Sequence, residues 1–141
     1  MADPAGRVAI ITGGSVGIGA ATARAFAGAG MRLALCARRR DRLERIAAEL
    51  RSAGAEVYTF PLDVTDEQAL RAMVDEVAAR CGGVDVLVNN AGRGLAARFE
   101  DTAPAEFREL LELNRLAPIF ASRAVLPHMG RQGRGPIVNV S

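Results

Sequence analysis

Apolar residues in this chain fall into short continuous runs and into longer stretches with helical spacing, and the two alternate along the chain. The runs at 7–12, 32–37, 84–89 and 137–140 have the form of strands covered on both faces. A further strand is expected at 56–60. Between the strands, 17–29 is alanine-rich, and 39–52 carries Leu43, Ile46, Ala47 and Leu50 on one helical face. Gly54 stands just past the end of that second helix, where a left-handed cap residue is expected. Thr65-Asp66-Glu67-Gln68 has the form of a capping box and predicts a third helix. Its buried face would be Leu70, Met73, Val74 and Val77, and Gly82-Gly83 would end it. A polar loop follows at 92–101. The last helical stretch starts near Thr102 with Pro104 in its first turn and runs to about Met129. Pro118 and Pro127 predict a kink or an early stop within it.

Strand alternating with helix implies right-handed crossovers and a doubly wound parallel sheet. The expected fold class is therefore α/β of Rossmann type, strand order 3-2-1-4-5, with residues 1–141 forming one domain. Such a sheet binds its ligand at the carboxyl ends of the strands, near the switch between strands 1 and 4.

Composition narrows the function classes. Half of the residues are hydrophobic and 24% are charged, as in a globular domain with a real core. The net charge of +2 is too small to suggest nucleic acid as a partner. No apolar run approaches the roughly 20 residues that span a bilayer. The start Met1-Ala2-Asp3-Pro4 has neither the basic nor the apolar region of a signal peptide. Cys36 and Cys81 make no disulfide framework and read as unpaired thiols, so a cytoplasmic protein is expected. His128 has no His/Cys/Asp cluster around it in the sequence, and no metal is expected. All 18 basic residues other than that histidine are arginine; the chain has no lysine, and its one tyrosine is Tyr58.

Candidate chemistry collects at the expected carboxyl edge. After the first strand comes Thr12-Gly13-Gly14-Ser15-Val16-Gly17-Ile18-Gly19, a strand-to-helix turn in which Gly13, Gly17 and Gly19 have the spacing GxxxGxG. Glycines let a backbone approach an anion, and the following helix start offers free N–H groups. On its own the cluster also fits a tight, closely packed turn. After the second strand, Ala37 stands where an NAD-binding sheet places an acid for the ribose 2′-hydroxyl, and Arg38-Arg39-Arg40 follows. Arginines at a helix start are disfavoured unless they meet an anion, and a 2′-phosphate is one. The reading is NADP(H) in preference to NAD(H); a solvated basic turn, partly offset by Asp41 and Glu44, is the plainer alternative. Asp63-Val64 after the third strand could pair with the edge of an adenine, or simply lead into the next helix. Asn89-Asn90-Ala91-Gly92 would let a ribose lie against the backbone. Asn114, amid Leu110, Leu111, Leu113 and Leu116, is a buried polar group that needs partners, and it could equally do no more than bond a neighbouring carbonyl.

Together these segments, with Leu113-Asn114 and Pro136-Ile137-Val138-Asn139-Val140-Ser141, resemble the short-chain dehydrogenase/reductase family over nearly the whole chain. The resemblance implies an NAD(P)-binding domain that moves a hydride between the nicotinamide and a carbonyl or alcohol substrate. It implies that the glycine turn, with Ser15 and Ile18, holds the diphosphate, that Arg38 meets the 2′-phosphate, and that Asp63 and Val64 meet adenine. Asn90, Ala91 and Gly92 would line the nicotinamide ribose, and Asn114 would hold a water in the proton relay. The family also uses the last helix as a dimer surface, so a homo-oligomer is expected.

The same resemblance marks what this sequence lacks. The family's reaction uses a serine, a tyrosine as general acid/base, and a lysine four residues later that lowers the tyrosine pKa. Here Tyr58 is followed four positions on by Leu62, and Ser141 matches the first rather than the second serine of the family's Ser-Ser pair. The chain is thus expected to be the N-terminal cofactor-binding portion, incomplete relative to the family and inactive by itself. A non-catalytic dinucleotide-binding or interaction module is the alternative. A methyltransferase on a related sheet would also want an acid after the second strand, and Ala37 argues against it.

Overall fold

The computed structural model describes residues 3–141; Met1 and Ala2, part of the segment read as lacking a leader, lie outside the described residues. Five parallel strands form one sheet: β1 (Val8–Thr12), β2 (Arg32–Ala37), β3 (Val57–Pro61), β4 (Val86–Asn89) and β5 (Ile137–Asn139). Their order is β3-β2-β1-β4-β5, as the alternation predicts. The helices are α1 (Gly17–Gly28), α2 (Arg40–Ser52), α3 (Glu67–Cys81), α4 (Pro104–Leu111) and α5 (Ala117–Gln132). Among the described residues no helix is long and apolar enough to cross a membrane.

The period of two along a strand divides the core into two layers. Val8 and Ile10 of β1, with Ala34 and Cys36 of β2, face α3 and α5 and pack with Leu70, Val74, Val77 and Val125. Ala9 and Ile11, with Leu33 and Leu35, face the other way and pack with Ala20 and Ala23 of α1 and Leu43, Ile46 and Ala47 of α2. Covered on both faces and paired on both edges, β1 is buried over its whole length. The alanines on α1 bring that helix close to the sheet, directly above the turn that joins it to β1.

Several boundaries shift by a residue or more from the sequence reading, and three of the differences have a local cause. The cap of α3 is Asp66, whose carboxylate accepts from the Ala69 N–H at 3.0 Å. Thr65 is drawn away instead: both its N–H and its hydroxyl donate to Asp63. Strand β4 begins at Val86 rather than at residue 84, because Asp85 is used across the sheet end. Its N–H donates to the Val8 carbonyl at 2.8 Å, and its carboxylate accepts from the Val8 N–H at 2.9 Å.

The third departure concerns the last helical stretch. It does not stop at Pro127, which lies inside α5; a π-helical turn, Glu112–Leu116, joins α4 to α5. Pro118 follows one residue later, and a proline can neither donate to the carbonyl four residues back nor fit closely against it. A widened turn ahead of it relieves that conflict. The wide turn also rotates the leucine face. Leu111 is 57% exposed and Leu116 is exposed too, while Leu113 packs against the core. Asn114 is therefore half-buried and not enclosed by leucines as expected.

Candidate functional site at the carboxyl edge

The carboxyl ends of β1, β2 and β4 meet around one cavity. It is lined on one side by Gly13, Ser15, Ala91 and Gly92, and on the other by Ala37, Arg38, Asp63 and Val64. Its construction begins at Thr12, buried as the last residue of β1. The Thr12 hydroxyl accepts from the N–H groups of Asn90 at 3.0 Å and Ala91 at 3.1 Å. The end of β4 is thereby clamped to the glycine turn. Asn90 closes the clamp from the other side, its Nδ2 donating to the Gly13 carbonyl at 3.1 Å.

Two glycines are required by this closeness. Gly13 has φ +63°, and a Cβ there would lie 2.9 Å from the Ala91 Cα. A Cβ on Gly19 would lie 2.2 Å from the Gly13 carbonyl oxygen and 2.5 Å from Asn90 Nδ2. The first turn of α1 can therefore sit directly on the turn that precedes it. Val16 occupies its N-cap position and offers no side-chain bond to the helix. The leading N–H groups of α1 are left for an anion, which is the chemistry a diphosphate supplies. The residues present thus fit a dinucleotide: a backbone cradle that a Cβ would fill, beside an uncapped helix start.

Gly17 and Ile18 lie at the exposed start of α1, outside the cavity lining; Ile18 is 62% exposed. Across the cavity, Arg38 and Asp63 are both exposed and charged. The Thr65 N–H and hydroxyl, together with the Arg38 charge, hold the Asp63 carboxyl below the usual carboxylate range. Val64 is buried and forms part of the wall. Beneath the cavity, burial pushes the Cys36 thiol up to about 12, so it stays protonated and unreactive.

Asn114 enters from the π turn. Its Oδ1 accepts from the Arg93 N–H at 3.1 Å, and its Nδ2 donates to the Arg93 carbonyl at 2.8 Å. A Cβ on Gly92 would stand 3.0 Å from the same Oδ1. The side chain thus fastens the loop after β4 beside the cavity. The Arg93 guanidinium pairs with Glu106 and Glu109 of α4. Asn89 ties β4 to its outer neighbour: its Nδ2 donates to Asn139 Oδ1 at 2.9 Å. The Val140 N–H donates to the Asn89 carbonyl at 2.9 Å, which brings exposed Ser141 to the same edge.

The structure therefore places Gly13, Ser15, Arg38, Asp63, Val64, Ala91 and Gly92 around one cavity, with Asn90, Gly19 and Asn114 supporting it. The motifs give no sign of the clamp made by Thr12, nor of Arg42 and Leu62 in the lining; Arg39 stands in the basic run 38–40 with no role of its own. The signal for Thr12 was a hydroxyl at the end of an otherwise apolar strand. Tyr58 takes no part: its hydroxyl bonds Glu56, and Arg80 covers its ring 5.6 Å from the centroid. Among the described residues no group of three His, Cys, Asp or Glu could hold a metal ion.

Comparison with known proteins agrees with this geometry. The chain is 38% identical over 141 residues to an uncharacterized oxidoreductase, Rv1543, of Mycobacterium tuberculosis, covering 96% of this chain and 41% of that protein. It is 39% identical over 137 residues to L-fucose dehydrogenase of Mus musculus, covering 96% of this chain and 48% of that protein. The chain thus spans less than half the length of these curated relatives. Among solved structures, a metagenomic short-chain oxidoreductase in complex with NADP superposes with a TM-score of 0.93 at 38% identity, over 99% of this chain and 64% of that one. A 7α-hydroxysteroid dehydrogenase complexed with NADH and 7-oxo glycochenodeoxycholic acid gives 0.92 at 36% identity, over 97% and 53%. Residues 7–141 match the family described as short chain dehydrogenase. With that match, the sheet order and the glycine-built cavity at its carboxyl edge, the chain belongs to the short-chain dehydrogenase family.

Proposed function

We propose that this chain is the cofactor-binding portion of an NADP(H)-dependent short-chain oxidoreductase acting on a carbonyl or alcohol. The observation that carries the reading is the pairing of Ala37 with Arg38 at the rim of the cavity. An acid at the position of Ala37 would accept a 2′-hydroxyl and repel a 2′-phosphate. An arginine beside an alanine does the reverse. Relatives of this fold have been solved with either cofactor form, NADP in one case and NADH in another, so the fold alone does not choose.

When bound, a nicotinamide dinucleotide supplies or accepts the hydride. The chain's own residues then do the holding. Gly13, Ser15, Gly17, Ile18 and Gly19 would bind the diphosphate, Asp63 and Val64 the adenine edge, and Asn90, Ala91 and Gly92 the nicotinamide ribose. Asn114 would keep the family's place beside a relay water while its carboxamide fixes Arg93. The tyrosine and lysine of the family's reaction are not among these 141 residues. The chain alone is therefore expected to bind cofactor and not to turn over. A cytoplasmic setting is proposed from two thiols that stay unpaired. Self-association is proposed through the outer face of α4 and α5, where Leu111, Ile119 and Leu126 are all more than half exposed.

The test is calorimetric titration of the chain with NADPH and with NADH. The expected result is tighter binding of NADPH by about tenfold or more, a preference that Arg38→Ala removes. Equal affinities, or a preference for NADH, would overturn the reading.

A further inference from the structure

The sheet ends in β3 on one side and β5 on the other, and each end strand has a row of backbone groups with no strand beside it. On β3 the pairing with β2 fixes which groups those are. The Leu33 N–H donates to the Glu56 carbonyl, and the Leu62 N–H donates to the Ala37 carbonyl. Residues 56, 58, 60 and 62 therefore turn their backbone groups toward β2, while Val57, Thr59 and Pro61 turn theirs outward. A row of this kind is a template for a strand from another molecule.

The three outward residues are not equally available. Arg51, in the last turn of α2, folds its guanidinium onto the strand: Nε and Nη2 donate to the Val57 carbonyl at 3.0 and 2.7 Å. Two donors take up both lone pairs of that oxygen. Nη1 lies 3.5 Å from Glu44, whose carboxylate also accepts from the Thr59 hydroxyl. Val57 thus keeps its N–H without its carbonyl, and Pro61 has a carbonyl without an N–H. Only Thr59 still offers an incoming strand both a donor and an acceptor. The opposite end of the sheet has no such cover. There Ile137 and Asn139 face outward, and among the described residues no side chain donates to either of their carbonyls; Asn89 bonds the Asn139 side chain.

We infer that Arg51 closes the β3 edge to strand addition by a second copy of this chain. The bonds of one residue do not offset the freedom lost when two chains join. Removing the fork would leave Val57 and Thr59 both fully open, which is enough to start a ladder. The inference is independent of the cofactor reading.

The experiment compares the unmodified chain with Arg51→Ala, Arg51→Ala/Thr59→Pro and Glu44→Gln by sedimentation over a concentration series, with hydrogen exchange on the same samples. Thr59→Pro takes the outward N–H and spares the bonds to β2, which run through residues 58 and 60. Arg51→Ala is expected to self-associate at about tenfold lower concentration than the unmodified chain, and its Thr59 amide to exchange more slowly as concentration rises. Adding Thr59→Pro is expected to reverse the association. Glu44→Gln, which removes the ion pair and leaves the carbonyl contact, is expected to behave as the unmodified chain. Protected β1 amides show that a variant is folded; should Arg51→Ala fail this check, Arg51→Lys, with the charge but without the fork, takes its place in the same comparison. Should the Thr59→Pro variant fail it, the concentration dependence of the Thr59 amide decides. No rise in association on loss of the fork overturns the inference. So does association that leaves the Thr59 amide unprotected, or an equal rise in Glu44→Gln.

Discussion

At the scale of single residues, the site depends on two positions where nothing larger fits and one hydroxyl that does two jobs. Gly19→Ala would place a methyl group 2.2 Å from the Gly13 carbonyl oxygen, a backbone atom that cannot swing aside. The expected cost is about 1–3 kcal/mol, together with loss of dinucleotide binding, measured by urea unfolding and by titration of the variant. Thr12→Val keeps the shape and strands the N–H groups of Asn90 and Ala91. Unfolding should show a loss of about 1–3 kcal/mol for that variant, and Thr12→Ser should restore most of it. Asp63 carries a pH signature. Its folded pKa is depressed, so its stabilising contribution is present above the unfolded value near ~4 and is lost as pH falls through the folded one. Acid unfolding of Asp63→Asn should therefore be shallower below about pH 4 than that of the unmodified chain. An equally steep acid limb would contradict the role given to Thr65 and Arg38. The glycines were legible in the sequence because spacing alone marks a strand-to-helix turn. Thr12 was not, since a threonine that ends an apolar run looks the same whether its hydroxyl bonds one neighbour or two.

At the scale of elements, the five strands and the first three helices follow from periodicity and turn residues. What escaped was the join between α4 and α5. A helical period of 3.6 leaves no trace of one widened turn, and two prolines pointed to a break rather than to a bulge. The consequence is functional. The π turn is where Asn114 projects to hold Arg93, so the loop after β4 is anchored by a helix irregularity. Asn114→Ala should leave the sheet intact and free this loop. Hydrogen exchange should show faster exchange at the Arg93 amide, with β1 and β4 amides unchanged. Unchanged exchange at Arg93 would show that the loop is held by something else, such as the pairing of Arg93 with Glu106 and Glu109.

At the scale of the whole molecule, the sheet with its carboxyl-edge cavity has two uncovered flanks. One is the outer edge of β5, where Val138 is exposed. The other is the face bearing Leu111, Ile119 and Leu126. Substituting Ile119 with Glu is expected to lower the association state in sedimentation without affecting NADPH binding. A sedimentation profile unaltered by that change would remove α5 from the interface. The sheet order was legible because alternating strands and helices admit few topologies. The exposed flanks were less so, because apolar residues at helical spacing read as core until the rotation of the helix is known.

We propose that the carboxyl edge of this sheet is a formed NADP(H) cradle. An amide NMR titration of the chain with NADPH tests it most directly. Shifts concentrated at residues 12–19, 37–39, 62–64 and 89–92, and weaker or absent shifts with NADH, are the predicted result. A well-dispersed spectrum in which those amides stay unmoved, or in which shifts gather around His128 and Arg131 near the end of α5, would contradict it.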